Sequence, residues 1–443
     1  MPIKNNQGSD NIPQLRFPEF KGEWEKKKLG DEIYESGYGP RFSGEDYSID
    51  GNVKTIRGTD IALNGEILYD QVPLAYLNEN FIKNHILEDG DLVMITTADC
   101  GLTGVFRKQE IHYIPSAYAV KIRLKKSANS EYFKYLLQTT IAYNQVNKFI
   151  RKATIGNLPG SDILKFEFRI PTLTEQTKIA EFFTAIDAKI QALKTKKEKL
   201  QQYKKGVMQQ LFCQNQDVED LKMNRINNEN ETKNPEILKS SKSRFRQDDG
   251  KPFPNWELKK LGEVFYSEKG KGISKDKIIL NGKFECVLYG ELYTKYNEVI
   301  FEVVSKTNEI DGIKSKIGDL LIPSSTTTTG IDLANVTALN KNDVLLGGDI
   351  TVLRSNLEIN NIFYAYYLSN YKKDEIASYA QGSTIVHLYY NHIKDMYIDL
   401  PCLEEQTKIA NFLSSIDEKI NHTETQIQQT QTWKKGLLQQ MFV

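Results

Sequence analysis

The chain has 443 residues, 40% of them hydrophobic and 26% charged, and its 58 basic side chains balance 58 acidic ones to a formal net charge of +0. That composition fits a globular protein of two to four domains and contains no apolar run near the roughly 20 residues of a membrane helix. It also disfavours a uniformly basic nucleic-acid binder, so any such partner must be met by local clusters.

The opening MPIKNNQGSDNIPQLRFPEF has no apolar core of the secretory kind, which predicts an intracellular, cytoplasmic protein. From Phe17 the chain reads FPEFKGEWEKKKLGDEIY, with Trp24 and a Leu29-Gly30 step. Short strands and turns follow in NVKTIRGTDI, GDLVMITT (90–97) and FEFRI, with Asn64-Gly65 as a turn signal. Helix is expected over EYFKYLLQTTIAYNQVNKFI (131–150). After Pro171 comes a long helical pattern in which Ile179, Phe183, Ile186, Ile190, Leu193, Leu200, Tyr203, Val207 and Leu211 recur at spacings of three and four.

The segment 213–243 is polar, Asn-rich and poor in aromatics, and reads as a flexible linker. Beyond it the first half returns, displaced by about 230 positions. KPFPNWELKKLGEVFY (251–266) echoes the lead-in, with Trp256 and Leu261-Gly262 in the matching places. GDLLIPSS (318–325) answers GDLVMITT, STIVHL (383–388) answers ATIGNL (153–158), and PCLEEQTKIA (401–410) answers PTLTEQTKIA (171–180). KFECVLYGEL and DITVLR read as strands, and NIFYAYYLSNYKKDEIASYA (361–380) contains helix. The second long seam is Ile409, Leu413, Ile416, Ile420, Ile427, Trp433, Leu437 and Met441. Most of 35–150 shows no counterpart in 267–380, so the heads look different while the frame looks shared.

The two seams are complementary. Lys197 interrupts the first where the second has Ile427, and Thr423 and Thr430 interrupt the second where the first has Leu193 and Leu200. Mutual packing is therefore expected, over the alternative that each helix packs on its own head. Helix one would span roughly 58 Å at 1.5 Å per residue, and a linker of this length reaches roughly 30 Å. The second head is then placed at the far end of helix one, with helix two running back antiparallel. The expected fold is α+β, with pseudo-repeated heads separated by two long helices packed as an antiparallel coiled coil. Its expected parts are 1–173, the helix 174–212, the linker 213–243, the second head 244–403 and the helix 404–443.

Paired heads at a fixed separation suit half-sites along a DNA duplex. Phosphate-binding cations and base-reading polar groups are candidates in both heads. In the first they are Arg41, Lys54, Arg57, Thr96, Thr97, Arg107, Lys108, Lys148, Arg151, Lys152, Thr154 and Asn157. In the second they are Lys271, Lys275, Tyr289, Lys295, Tyr296, Ser324, Ser325, Thr326, Thr384 and His387. The sequence has no phosphate loop of the G-x-x-x-x-G-K-[ST] type, no H-E-x-x-H and no [ND]-P-P-[YF]. His387 and His392 read as ordinary polar residues, not metal ligands. Cys100, Cys213, Cys286 and Cys402 are dispersed and read as free thiols.

The doubled P-x-L-x-E-Q-x-K-I-A entry to a long helix resembles the specificity subunit of type I restriction–modification enzymes. So do IRGTDI (56–61), YGELYTKY (289–296) and the paired GDL strands. The resemblance implies two target-recognition domains, each reading one half of a split, asymmetric site in double-stranded DNA. It implies helices that set the gap and dock two methyltransferase subunits, with nuclease/translocase subunits joining them. It also implies a non-catalytic chain whose partners use S-adenosylmethionine, ATP and magnesium. A coiled-coil adaptor with protein-binding heads is the alternative, and the zero net charge favours it. A standalone nuclease is a further one.

Overall fold

The computed structural model describes residues 4–5, 11–151, 154–212 and 245–443. The expected linker 213–243, with Cys213, and the candidate Lys152 lie outside the described residues. The chain divides into two compact units, the first built from two separate stretches and the second from one. The first comprises residues 1–195 and 423–443, the second residues 196–422. The long helices run over Leu173–Phe212 and Leu403–Gln440, so each unit holds the beginning of one and the end of the other.

In the first unit the main sheet has four antiparallel strands in the order Ile33–Tyr38, Ala119–Leu124, Leu92–Ile95, Thr103–Val105. A second sheet places Val53–Ile56 between Leu74–Ala75 and a parallel partner, His112–Pro115. The GDL aspartate is structural. Asp91 is buried and takes a two-pronged ion pair from Arg123 at 2.8 and 2.9 Å, and Glu35 also reaches that guanidinium. The run Leu92–Ile95 is buried at all four positions, which explains its apolar sequence without alternation.

The second unit repeats this plan. Its main sheet runs Phe265–Lys269, Ile350–Ser355, Asp319–Pro323, Thr337–Leu339, and adds Val299–Ile300 at the edge. Asp319 pairs with Arg354 at 2.8 Å through two oxygens, and Glu268 stands where Glu35 stands in the first unit. Phe284–Val287 again has a parallel neighbour, Leu345–Leu346. The two heads thus share one fold across 35–150 and 267–380, where the sequences mostly show no match beyond the GDL strands. Strand order is held by backbone bonding and burial, which many apolar sequences satisfy.

The repeated lead-in is explained by close approach. Leu29 and Leu261 are fully buried, and their N–H groups donate to the carbonyls of Phe166 and Met396 at 2.7 and 2.8 Å. At Gly30 a Cβ would sit 2.9 Å from the Leu164 carbonyl oxygen, too near for any other residue.

The EQTKIA segment fastens each long helix to its own head. Glu175 is buried in the first turn, where the helix dipole favours a carboxylate. It accepts from Arg16 at 2.7 and 2.8 Å and from the Trp24 indole at 3.3 Å. Glu405, fully buried, accepts from Trp256 at 2.8 Å. Gln176 and Gln406 each donate to the carbonyl of the preceding proline, Pro171 or Pro401, at 2.9 and 2.7 Å. Each also accepts the backbone N–H of an asparagine, Asn129 or Asn360, at 2.9 and 2.8 Å. Those asparagines in turn cap the helices Ser130–Leu137 and Asn361–Tyr366. Ile179, Ala180, Ile409 and Ala410 face the cores.

Both packings considered for the long helices occur. Ile179, Phe183, Ile186 and Ile190 share a core with their own head and with Leu437 and Met441 of the other helix. In the second unit Ile409, Leu413 and Ile416 share a core with Met208, Leu211 and Phe212, and Val207 and Ile420 pack at its edge. Each antiparallel pairing is tied by the same three residues. Asp187 accepts from Tyr135 at 2.8 Å and from Lys434 at 2.6 Å. Asp417 accepts from Tyr366 at 2.5 Å and from Lys204 at 2.9 Å. Burial raises the Asp417 carboxyl above its ordinary range, an effect that Lys204 and Tyr366 only partly offset.

Two expectations need correction. Trp433 is 51% exposed and meets the other helix only at the edge of the seam, against the Phe182 ring at 6.1 Å, and its counterpart Tyr203 is 54% exposed; Leu193 and Leu200 are half-buried while Ile427 is buried. The stretch 131–150 is two helices, Ser130–Leu137 and Thr140–Phe149, because the Thr139 hydroxyl caps a new start at Ala142.

Replacing Glu175 by Ala would leave the buried Arg16 guanidinium unpaired, a change that costs about 3–5 kcal/mol. Chemical denaturation should show that loss for Glu175→Ala and almost none for the exposed neighbour Glu181→Ala.

Candidate nucleic-acid interface

In each head the end of the GDL strand meets the loop before the final strand. In the first, the Leu158 N–H donates to the Thr96 carbonyl at 2.8 Å, and Thr97 bridges Asn157. Asn157 then exchanges both backbone bonds with Arg151, at 2.8 and 3.2 Å. In the second, the Leu388 N–H donates to the Ser324 carbonyl at 3.1 Å, and Ser325 pairs with His387. His387 exchanges both backbone bonds with Gln381, at 2.7 and 2.9 Å. Thr97–Asn157–Arg151 and Ser325–His387–Gln381 are therefore the same three-residue row. The second row turns at Gly382, whose φ of +121° and 2.1 Å Cβ approach to the Ile385 carbonyl oxygen admit no other residue.

The structure separates the candidates into exposed and committed groups. Arg41, Lys108, Lys148, Arg151, Thr154, Asn157, Lys271, Lys275, Tyr289 and Thr384 are exposed. Lys148 sits 5.3 Å above the Phe149 ring. His387 is half-buried, stacked on Tyr389 with Nδ1 3.1 Å from its hydroxyl.

Others serve the scaffold. Thr96, Ser324, Ser325 and Thr326 are buried and cannot meet a partner's surface. Thr96 donates to the Tyr118 carbonyl, Ser324 pairs with Thr351, Ser325 donates to Asp349, and Thr326 pairs with Thr328. Arg57 is clamped on fully buried Asp60 at 3.0 Å, and Arg107 on Glu131 and Asp89 at 2.5 and 3.3 Å. Lys54 donates to the Tyr69 carbonyl at 3.1 Å. Lys295 is held by Glu291 at 2.7 Å. Tyr296 accepts the Val304 N–H at 3.1 Å, and burial pushes its hydroxyl up to about 12. Thus IRGTDI and YGELYTKY are acid-anchored turns, with Asp60 and Glu291 buried at matching places.

Among the described residues no group of His, Cys, Asp and Glu could hold a metal ion. The described cysteines Cys100, Cys286 and Cys402 are free thiols, and burial pushes Cys286 up to about 11. No helix among the described residues is long and apolar enough to cross a membrane.

The model of the type I restriction–modification DNA specificity domain matches this chain twice, over residues 21–202 and 254–431. The chain belongs to that family. Among its curated relatives, the putative type I restriction enzyme MjaX specificity subunit of Methanocaldococcus jannaschii is 22% identical over 97% of this chain and 95% of its own. The MjaVIII specificity subunit of the same organism is 25% identical over 96% of this chain and 92% of its own. The crystal structure of a type I system S subunit from M. genitalium shares the fold, with a TM-score of 0.57 and 15% identity over 98% of this chain and 99% of that one.

Within this specificity-family fold, sequence reasoning missed Gln381, the partner of His387. The repeat offset pointed to it, because Gln381 stands to His387 as Arg151 stands to Asn157. It also missed Tyr118, 61% exposed beside Thr96, since a lone aromatic gives no periodic signal.

Charge removal should separate the two groups of arginines. Arg57→Ala, which leaves the buried Asp60 with only the backbone N–H of residue 57 and the Thr59 hydroxyl, is expected to lower stability by roughly 1–3 kcal/mol. Arg151→Ala should stay within about 0.5 kcal/mol. Thermal denaturation of both variants checks this.

Proposed function

We propose that this chain is the non-catalytic specificity subunit of a type I restriction–modification complex in the cytoplasm. Each head reads one half of a bipartite, asymmetric site in double-stranded DNA. The long helices set the gap between the halves and dock two methyltransferase subunits, to which nuclease/translocase subunits are added. Those partners would use S-adenosylmethionine, ATP and magnesium. The carrying observation is the duplicated head: one fold built twice, with the same row at the same edge and different exposed side chains. The expected parts of the chain follow from this reading, with 213–243 joining the halves.

The exposed rings Tyr203 and Trp433 support the docking role. They hold equivalent places on the two long helices and each leaves about half of its surface exposed, although Trp433 also meets the Phe182 ring edge-to-face at 6.1 Å. Tryptophan and tyrosine are frequent anchors of protein interfaces. Trp433→Ala should weaken methyltransferase-subunit binding by about 2 kcal/mol or more, read by titration calorimetry, while losing the Phe182 contact should cost the free chain only about 1 kcal/mol in thermal denaturation.

Expression with a matching methyltransferase subunit, in cells lacking other modification, should yield modified adenines in a split motif with a fixed gap. Binding of that complex to duplex DNA should weaken steeply with salt, since phosphate contacts release counterions. A stable complex that neither methylates nor binds DNA would support the adaptor reading instead.

A further inference from the structure

The rows at the edges of the two heads share a backbone and differ in what they display. Arg151 and Asn157 form one hydrogen-bonded cross-strand pair, and Gln381 and His387 form the other. Residues opposed in such a pair project from the same face with Cα atoms about 5.5 Å apart. Side chains of this length can converge from there on neighbouring base pairs. The frame beneath is held alike in both heads, by the Thr96 and Ser324 carbonyls and by leucines Leu158 and Leu388, which are buried.

We infer that the pair Arg151–Asn157 and its counterpart Gln381–His387 determine which bases each head reads, an assignment that rests on the DNA-reading function proposed above. Availability is the first reason. Among the described residues, no hydrogen bond or ion pair engages the side chains of Arg151, Asn157 or Gln381, whereas Arg57 and Arg107 are spent on internal carboxylates. His387 is held by its Tyr389 stack at 5.6 Å and its Nδ1 contact, and among the described residues no hydrogen bond engages its Nε2. Chemistry is the second reason. The guanidinium fork matches the O6 and N7 acceptors of guanine, and the amides of Asn and Gln match the N6 and N7 edge of adenine. The third reason is the frame itself. The two rows keep the same backbone supports and differ in the pair they display, so that pair is a position at which a difference in reading can arise.

The test uses the full chain in complex with its methyltransferase subunit, with modified adenines mapped for the unaltered chain, for R151Q/N157H and for Q381R/H387N. The first double variant should relax or change one or two positions of a single half-site, a guanine among them, with roughly 10- to 100-fold loss of discrimination there. The other half-site should stay intact, which also shows that the complex has folded. The second double variant should alter only the other half. If both half-sites stay unchanged in both variants, the inference is overturned. Should a double variant abolish methylation, R151A and N157A decide. Altered base preference upholds the inference, and a uniform loss across sequences overturns it by assigning the pair to phosphate contact. If the unaltered chain directs no methylation from a stable complex, the DNA-reading function itself fails.

Discussion

A buried carboxylate at the first turn of each long helix is the constraint on which the rest depends. Glu175 and Glu405 lie beside tryptophans of the lead-in, and the adjacent glutamines bind the asparagines that cap a head helix. Removing water from a carboxylate is expensive, and only a complete set of donors compensates for it. The donors come from segments about 150 residues earlier in the chain, so the helix can enter only after the head has closed. A strained or shifted head would leave the charge unmet. This ties each head to the start of its own long helix.

The second tie works across helices. The Tyr–Asp–Lys triads join a head helix, the start of one long helix and the end of the other inside a single compact unit. A coiled-coil seam of apolar residues alone tolerates slippage by a heptad, whereas a half-buried ion pair with a tyrosine hydroxyl on it has one register. The duplicated triad therefore fixes the register of the helix pairing within each unit.

Stability and reading are divided among different residues of the same motifs. The GDL aspartates and the acids of IRGTDI and YGELYTKY are buried, each holding a cation. The bridge residues Arg151, Asn157 and Gln381 are exposed, His387 is half-buried, and the displayed pairs differ between the heads. Such a division lets the displayed side chains change at little cost to the fold, because exposed positions without internal partners contribute little stability. Neutral net charge is compatible with DNA reading on this account: Arg57, Arg123 and Arg354 pair with buried acids, while Lys148, Arg151 and Lys271 face outward.

The sequence by itself determined the duplication, the two long helices and their entries, because these depend on local periodicity and on near-identical segments that need no folding to be seen. It also exposed the complementary seams. Tertiary structure alone decided that the heads share one sheet order over 35–150 and 267–380, since backbone pairing constrains burial and hardly constrains residue identity. It alone moved Thr96, Ser324, Ser325 and Thr326 inside and committed Arg57, Arg107 and Lys295 to carboxylates, because exposure is set by neighbours distant in sequence. Gln381 became visible for the same reason: its significance lies in facing His387 across a bridge, and that pairing is a property of the folded chain.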